Sequence, residues 1–151
     1  MRYIERILQP GERVVYTGRI HWIIYLPAGL MMVVALAALS RAGAAGHAMN
    51  WSLVAAICAG VGGLAAISAW LKRWSTEIDV TDRRIVYKRG LIRRHTVEMN
   101  MDKVESVDVD QTILGRFLNF GNITVHGTGT GIETLFNVEA PLQFRNHVTA
   151  R

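Results

Sequence analysis

The chain offers little for covalent or metal chemistry. Among 151 residues there is one cysteine, Cys58, which excludes an intrachain disulfide. It lies in an apolar run, where a thiol packs as a small hydrophobe and is poorly placed as a nucleophile. The five histidines (His21, His47, His95, His126, His147) fall at no metal-ligand spacing. No Ser-His-Asp or Cys-His arrangement is visible, so the sequence gives no sign of catalysis. Acidic residues are the minority, 12 against 17 lysines and arginines, for a net charge of +5. Charge of either sign is missing from two long stretches, Trp22–Leu39 and Trp51–Leu71.

These two charge-free stretches organise the chain. At ~1.5 Å per residue they reach roughly 27 and 31 Å as helices, about the thickness of a bilayer's hydrocarbon core. Together, over residues 22–71, they read as a transmembrane helical hairpin. The connector Ser40–Asn50 is small and polar, with no room for a domain, so the helices return as antiparallel neighbours. Trp22, Tyr25, Trp51, Trp70 and Trp74 sit at the expected membrane borders, where aromatic rings are favoured. Ala55, Ala59 and Gly63, at spacing four, with Gly60 beside them, suggest a close helix-packing face. Arg2, Arg6, Arg13 and Arg19 precede the first stretch, and Lys72 and Arg73 follow the second, whereas only Arg41 lies between them. By the positive-inside rule both termini are cytoplasmic, and the basic excess needs no nucleic acid to explain it. A cleaved secretory signal is the rival reading of the first stretch. The long, patterned leader and the second full-length stretch oppose it.

The leader, residues 1–21, reads as a cytoplasmic N-terminal segment. Tyr3, Ile4, Ile7 and Leu8 share one face of a helix, Pro10-Gly11 breaks it, and Val14–Tyr16 suit a short strand. The helix either lies on the membrane surface or packs on the soluble domain, and its seven or eight residues, too few for firm surface binding, favour packing. From Trp74 onward the apolar period shortens to two. Strands are expected around Thr76–Val80, Ile85–Lys88, Arg94–Met99, Ser106–Asp110, Ile123–His126 and Glu133–Val138. Between Thr112 and Phe120 the spacing of Ile113, Leu114, Phe117 and Leu118 is helical. Pro141, Phe144 and Val148 predict a closing helix. The fold class is therefore α+β, with the hairpin followed by a small domain at 72–151: a bent antiparallel sheet or partial barrel capped by a C-terminal helix.

Several short motifs, taken in order, resemble those of the membrane-anchored bacterial pleckstrin-homology (PH)-like domain proteins, a largely uncharacterised group. They are Leu8-Gln9-Pro10-Gly11-Glu12 with His21-Trp22, Thr81-Asp82-Arg83-Arg84-Ile85-Val86, Arg89-Gly90-Leu91-Ile92, Val104-Glu105-Ser106-Val107-Asp108-Val109, Ile113-Leu114-Gly115-Arg116-Phe117-Leu118 and Phe120-Gly121-Asn122-Ile123. The resemblance covers nearly the whole chain. It implies strongly bent antiparallel strands with a C-terminal helix over one opening, a bacterial cell-membrane location, and no particular activity. Asn119 stands where glycine is expected, and Asn tolerates the left-handed backbone such a turn needs. The long basic loop of phosphoinositide-binding relatives is replaced by Thr81-Asp82, so no inositol-phosphate site is carried over.

Three further features bear on function. Gly127 to Gly131 alternates glycine, but strand residues follow, which favours a hairpin turn over a phosphate cradle. Asp108 and Asp110 share a strand face near Asp102 and Glu105, a thin basis for a metal site or for a metal-dependent enzyme. Lys72, Arg73, Arg83, Arg84, Arg93 and Arg94 are candidate contacts to anionic lipid, with Arg83-Arg84 and Arg93-Arg94 expected to meet at one end of a hairpin. The expectation is a non-enzymatic, membrane-anchored scaffold without cofactor that binds a protein partner or its own copies. Sensing of anionic lipid is the alternative.

Overall fold

A computed structural model describes residues 3–44, 50–90, 94–128 and 131–149. The chain divides into two compact units, one of residues 1–21 with 72–151 and one of residues 22–71.

The first unit is built from seven strands and three short helices. Strands β1 (Val14–Gly18), β2 (Glu77–Thr81), β3 (Arg84–Arg89) and β4 (His95–Asn100) form one antiparallel sheet in that order. Strands β5 (Val104–Asp110), β6 (Phe120–Gly127) and β7 (Ile132–Glu139) form the second. A bridge between Ile20 and Val138 ties the segment after β1 to β7. The inward residues of the alternating strands make the core: Ile78, Val80, Ile123, Leu135 and Val138 are all buried. The C-terminal helix α5 (Pro141–Thr149) closes this core by inserting Phe144, which is completely buried, with Val148 beside it.

The sequence pattern draws the β domain from residue 72, but the folded unit also takes in residues 1–21. The reason is hydrogen bonding. β1 pairs with β2, Gly18 opposite Ile78 and Val14 opposite Thr81, so its backbone groups are satisfied across the apolar insertion. Helix α1 (Tyr3–Ile7) packs on the same sheet. Ile4 is buried, the Tyr3 N–H donates to Glu77 Oε2 at 2.7 Å, and Lys88 Nζ lies 4.7 Å from the Tyr3 ring centre. The outer face of β2 is thus covered, which is why Asp79 is buried and accepts from Thr17 Oγ1 at 2.7 Å.

Between β5 and β6 stands helix α4 (Ile113–Leu118). Thr112 caps its start by accepting from the Gly115 N–H, and Asn119 ends it in the left-handed region at φ 57°, ψ 47°.

The second unit contains α2 (Leu26–Ala44), entered through a single tight turn at Trp22–Tyr25, and the start of α3 (Trp51–Ser75). Its large apolar side chains point outwards, with Leu36, Val33 and Leu64 between 63 and 71 % exposed, while Ala28, Ala35, Ala38, Ala55 and Ala69 are buried. Gly62 is where α3 needs to be smallest. A Cβ there would lie 3.2 Å from Met31 Cβ and 3.4 Å from the Ala28 carbonyl oxygen. The expected face at Ala55, Ala59, Gly60 and Gly63 is therefore shifted. Ala55 is buried and Ala59 half-buried, but Gly60 and Gly63 have nothing within 4 Å of a Cβ position. The buried line runs Ala55, Gly62, Ala69 at intervals of seven, and at ~100° per residue Gly63 is rotated a quarter-turn off it. Gly62→Leu should lower the stability of this helix pair by about 1–3 kcal/mol through overpacking, and Gly63→Leu should leave it unchanged. Loss of helicity during an SDS titration of the full chain in mild detergent measures both.

Candidate functional site: a basic cleft at the end of the first sheet

Two arrangements of charged residues stand out, one closed and one open. The closed one joins the leader to the sheet. Pro10 and Gly11 (φ 83°) make a tight turn in which the Glu12 N–H donates to the Gln9 carbonyl at 2.9 Å. The turn sends the Glu12 carboxylate inwards, where it accepts from the Gln9 N–H (2.8 Å), the Thr81 hydroxyl (2.7 Å) and two nitrogens of Arg84 (3.0 Å each). The same guanidinium donates to Glu98 Oε2 at 2.8 Å and to the Ile7 carbonyl at 2.6 Å. Alongside, the Arg13 N–H donates to Asp82 Oδ1 and the Asp82 N–H to the Arg13 carbonyl. Burial alone would push the Glu12 carboxyl up, but hydrogen bonds from Gln9, Thr81 and Arg84, with the Arg84 charge, outweigh it and hold it below its ordinary value. Arg84 is held by four hydrogen bonds to oxygens of the protein, which marks the cluster as structural.

The open arrangement lies where the chain leaves β1 and enters β2. A cleft of about 680 Å³ is lined by Tyr3 and Arg6 of α1, Gly18 at the end of β1 and Arg19 after it, Arg73 in the last turn of α3, Lys88 near the end of β3, and Gly90 and Arg94 between β3 and β4. A second cleft of about 570 Å³ adjoins it and adds Lys72, Arg89 and His95. The acidic lining residues are already engaged. Glu77 accepts from the Tyr3 N–H and lies 3.9 Å from Lys88 Nζ, and Asp79 accepts from Thr17. Arg6, Arg19, Arg73 and Arg94 form no salt bridge among the described residues. No acidic residue occurs in the chain between Glu12 and Glu77. A concave surface with several guanidinium groups and its carboxylates neutralised suits a phosphate or carboxylate ligand.

The six basic residues singled out in the sequence separate accordingly. Lys72, Arg73 and Arg94 line the clefts. Arg93 lies outside the described residues. Arg83 is exposed at the β2–β3 turn, and Arg84 is sequestered by Glu12 and Glu98, its side chain only 12 % exposed. Arg83-Arg84 do not meet the β3–β4 turn. Arg84 is opposite Asn100 and Arg89 opposite His95, so the two basic groups sit at opposite ends of β3, roughly 17 Å apart at the rise of a strand. Lys88 and Arg89, part of the same basic run in the sequence, also line the clefts, and the contributions of Arg6 and Arg19 were missed. Arg19 carried a usable signal, since it lies only three residues before Trp22.

The remaining candidates are accounted for. His126 Nε2 lies 3.0 Å from Asp108 Oδ2, a hydrogen-bonded contact across β5 and β6. Among the described residues no group of three His, Cys, Asp or Glu side chains converges to hold a metal. The Gly127 N–H donates to the Gly131 carbonyl at 2.7 Å, closing the turn from β6 to β7, and residues 129–130 lie outside the described set. His21 is buried, stacked on Phe120 with ring centres 5.0 Å apart, and burial pushes its pKa down.

Two bent antiparallel sheets of four and three strands, closed by one C-terminal helix, define a PH-like domain. A family model described as "Bacterial PH domain" matches residues 22–151, and the chain belongs to that family. PH domains are in general non-catalytic interaction modules. Searches of curated proteins and of solved structures returned no match.

The depressed Glu12 pKa sets a pH test. A carboxylate favoured in the folded state stabilises it above the unfolded value, ordinarily near 4.5, and that contribution is lost as pH falls through the folded value. Glu12→Gln should lower stability at neutral pH by on the order of 3 kcal/mol, because Arg84 loses its buried partner. It should also flatten the acid limb of the stability curve below about pH 4.5. Thermal unfolding of the full chain between pH 3 and 7 reads both effects.

Proposed function

We propose that the chain is a non-enzymatic module held in the bacterial cell membrane by its helical hairpin, with both termini cytoplasmic, and that the PH-like domain meets anionic lipid headgroups through the basic cleft. The single observation that carries this reading is where the apolar helices are inserted. They interrupt the connection between two paired strands, so the chain leaves and re-enters the sheet at one end, the end where the cleft opens. Two apolar helices with large side chains outward and alanines inward suit lipid better than water, because lipid is the medium that rewards such exposure. Cations close in sequence to the two ends of the insertion lie near the headgroups by chain connectivity alone, and there each contributes about 1 kcal/mol towards an anionic surface.

A protein partner or a second copy is the other reading, and a specific feature favours keeping it. Strand β4 is an edge of its sheet, with most of its side chains exposed, and such an edge offers unpaired backbone groups to another strand. Neither reading calls for a cofactor, and neither uses nucleic acid.

Retention of lipid decides between them. The full chain, extracted in mild detergent with phosphatidylglycerol, should hold that lipid in native mass spectrometry. Replacing Arg6, Arg19 and Arg94 together by alanine should cut the retained lipid several-fold, while Arg83→Ala, at the far end of β3, should not. Equal retention in all three proteins would remove the lipid reading.

A further inference from the structure

Helix α4 is the most exposed apolar element of the first unit. Phe117 is 84 % exposed, Ile113 77 %, Leu114 65 % and Leu118 38 %. The loop is nonetheless built to hold these side chains out. Gly115 alone is turned inwards, so close to the body that a Cβ would lie 2.6 Å from the Phe120 carbonyl oxygen. Gln111 Nε2 donates to that same carbonyl at 3.0 Å, and the Ala140 N–H donates to the Asn119 carbonyl at 2.9 Å. A capped helix fixed at both ends is a rigid mount for four apolar side chains, and an apolar cluster of this kind marks a surface that meets something other than water.

Its position names what it meets. The strand following α4 carries Phe120, on which the His21 ring stacks, and that ring is also hydrogen-bonded to the Leu118 main chain. The His21 N–H donates to the Asn137 carbonyl at 2.7 Å, and the Glu139 N–H to the Arg19 carbonyl at 2.9 Å. Helix α4 is therefore anchored against the last residues of the unit before Trp22, the first residue of the apolar helix. Arg116, in the middle of the cluster, has the length to reach lipid phosphate while its neighbours go deeper.

We infer that α4 inserts Ile113, Leu114 and Phe117 into the headgroup boundary of the same bilayer that the hairpin crosses, a second and shallower attachment. This rests on the membrane reading above.

The test uses the full chain with Cys58→Ser, reconstituted in phosphatidylglycerol-containing vesicles, with a fluorophore on a cysteine introduced as Phe117→Cys, Leu64→Cys or Arg83→Cys. Spin-labelled lipids report depth. Quenching at position 117 by labels placed high on the acyl chain, about 5–10 Å below the surface as for interfacial helices, together with no quenching at 83, is the expected result. Quenching at 64 without quenching at 117 would overturn the inference and leave the hairpin reading intact. No quenching at 64 would remove both. Disulfide crosslinking of the Phe117→Cys protein to a second copy, in place of quenching, would assign the cluster to self-association and also overturn it.

Discussion

Everything in the β domain depends on one pairing, β1 against β2. These strands are neighbours in the sheet yet far apart in sequence, and what separates them is apolar helix. The pairing satisfies the backbone of the leader and brings Glu12 to Arg84. It also makes the two ends of the insertion leave the sheet side by side. Loop-closure entropy over such a distance is only modestly larger than over a short loop, so the interruption is thermodynamically tolerable. The buried pair at Glu12 and Arg84 then adds specificity. A carboxylate with four donors, and an arginine that also binds a main-chain carbonyl, has one arrangement in which both are satisfied. A slipped register would leave a buried charge alone.

The separation of the arginines follows from the same frame. Basic residues at the β2–β3 turn are consumed in holding the leader. Those at the β3–β4 turn, at the end of β1 and at the foot of α3 gather into a cleft. Charge count alone does not distinguish these two uses. Burial and the identity of the acceptors do. Arg84 donates to four oxygens from three residues, whereas Arg19 and Arg94 line open space.

Most strands and both terminal helices were legible because each has a clean period, two for the strands and close to 3.6 for Pro141–Val148. The left-handed turn at Asn119 was legible because few side chains tolerate that backbone. The unit to which Val14–Tyr16 belongs was not, since nothing local says which strand a short apolar run will pair with. The helix-packing face was misplaced by a residue or two: small residues are so common in α3 that spacing four and spacing seven both find matches, and only the approach of Met31 and Ala28 selects Gly62. The basic cleft was half legible. Proximity to the apolar runs flagged Lys72 and Arg73, but Arg6 reaches it only through packing of α1 on the sheet.

The interrupted pairing also has a consequence for biosynthesis. As the chain is made, β1 precedes its ladder partner β2, and both apolar helices are synthesised between them. The cap at Phe144 arrives last of all. The first sheet therefore cannot close until both apolar helices have been made, and a ribosome stalled anywhere before the seventies would leave β1 an unzipped edge.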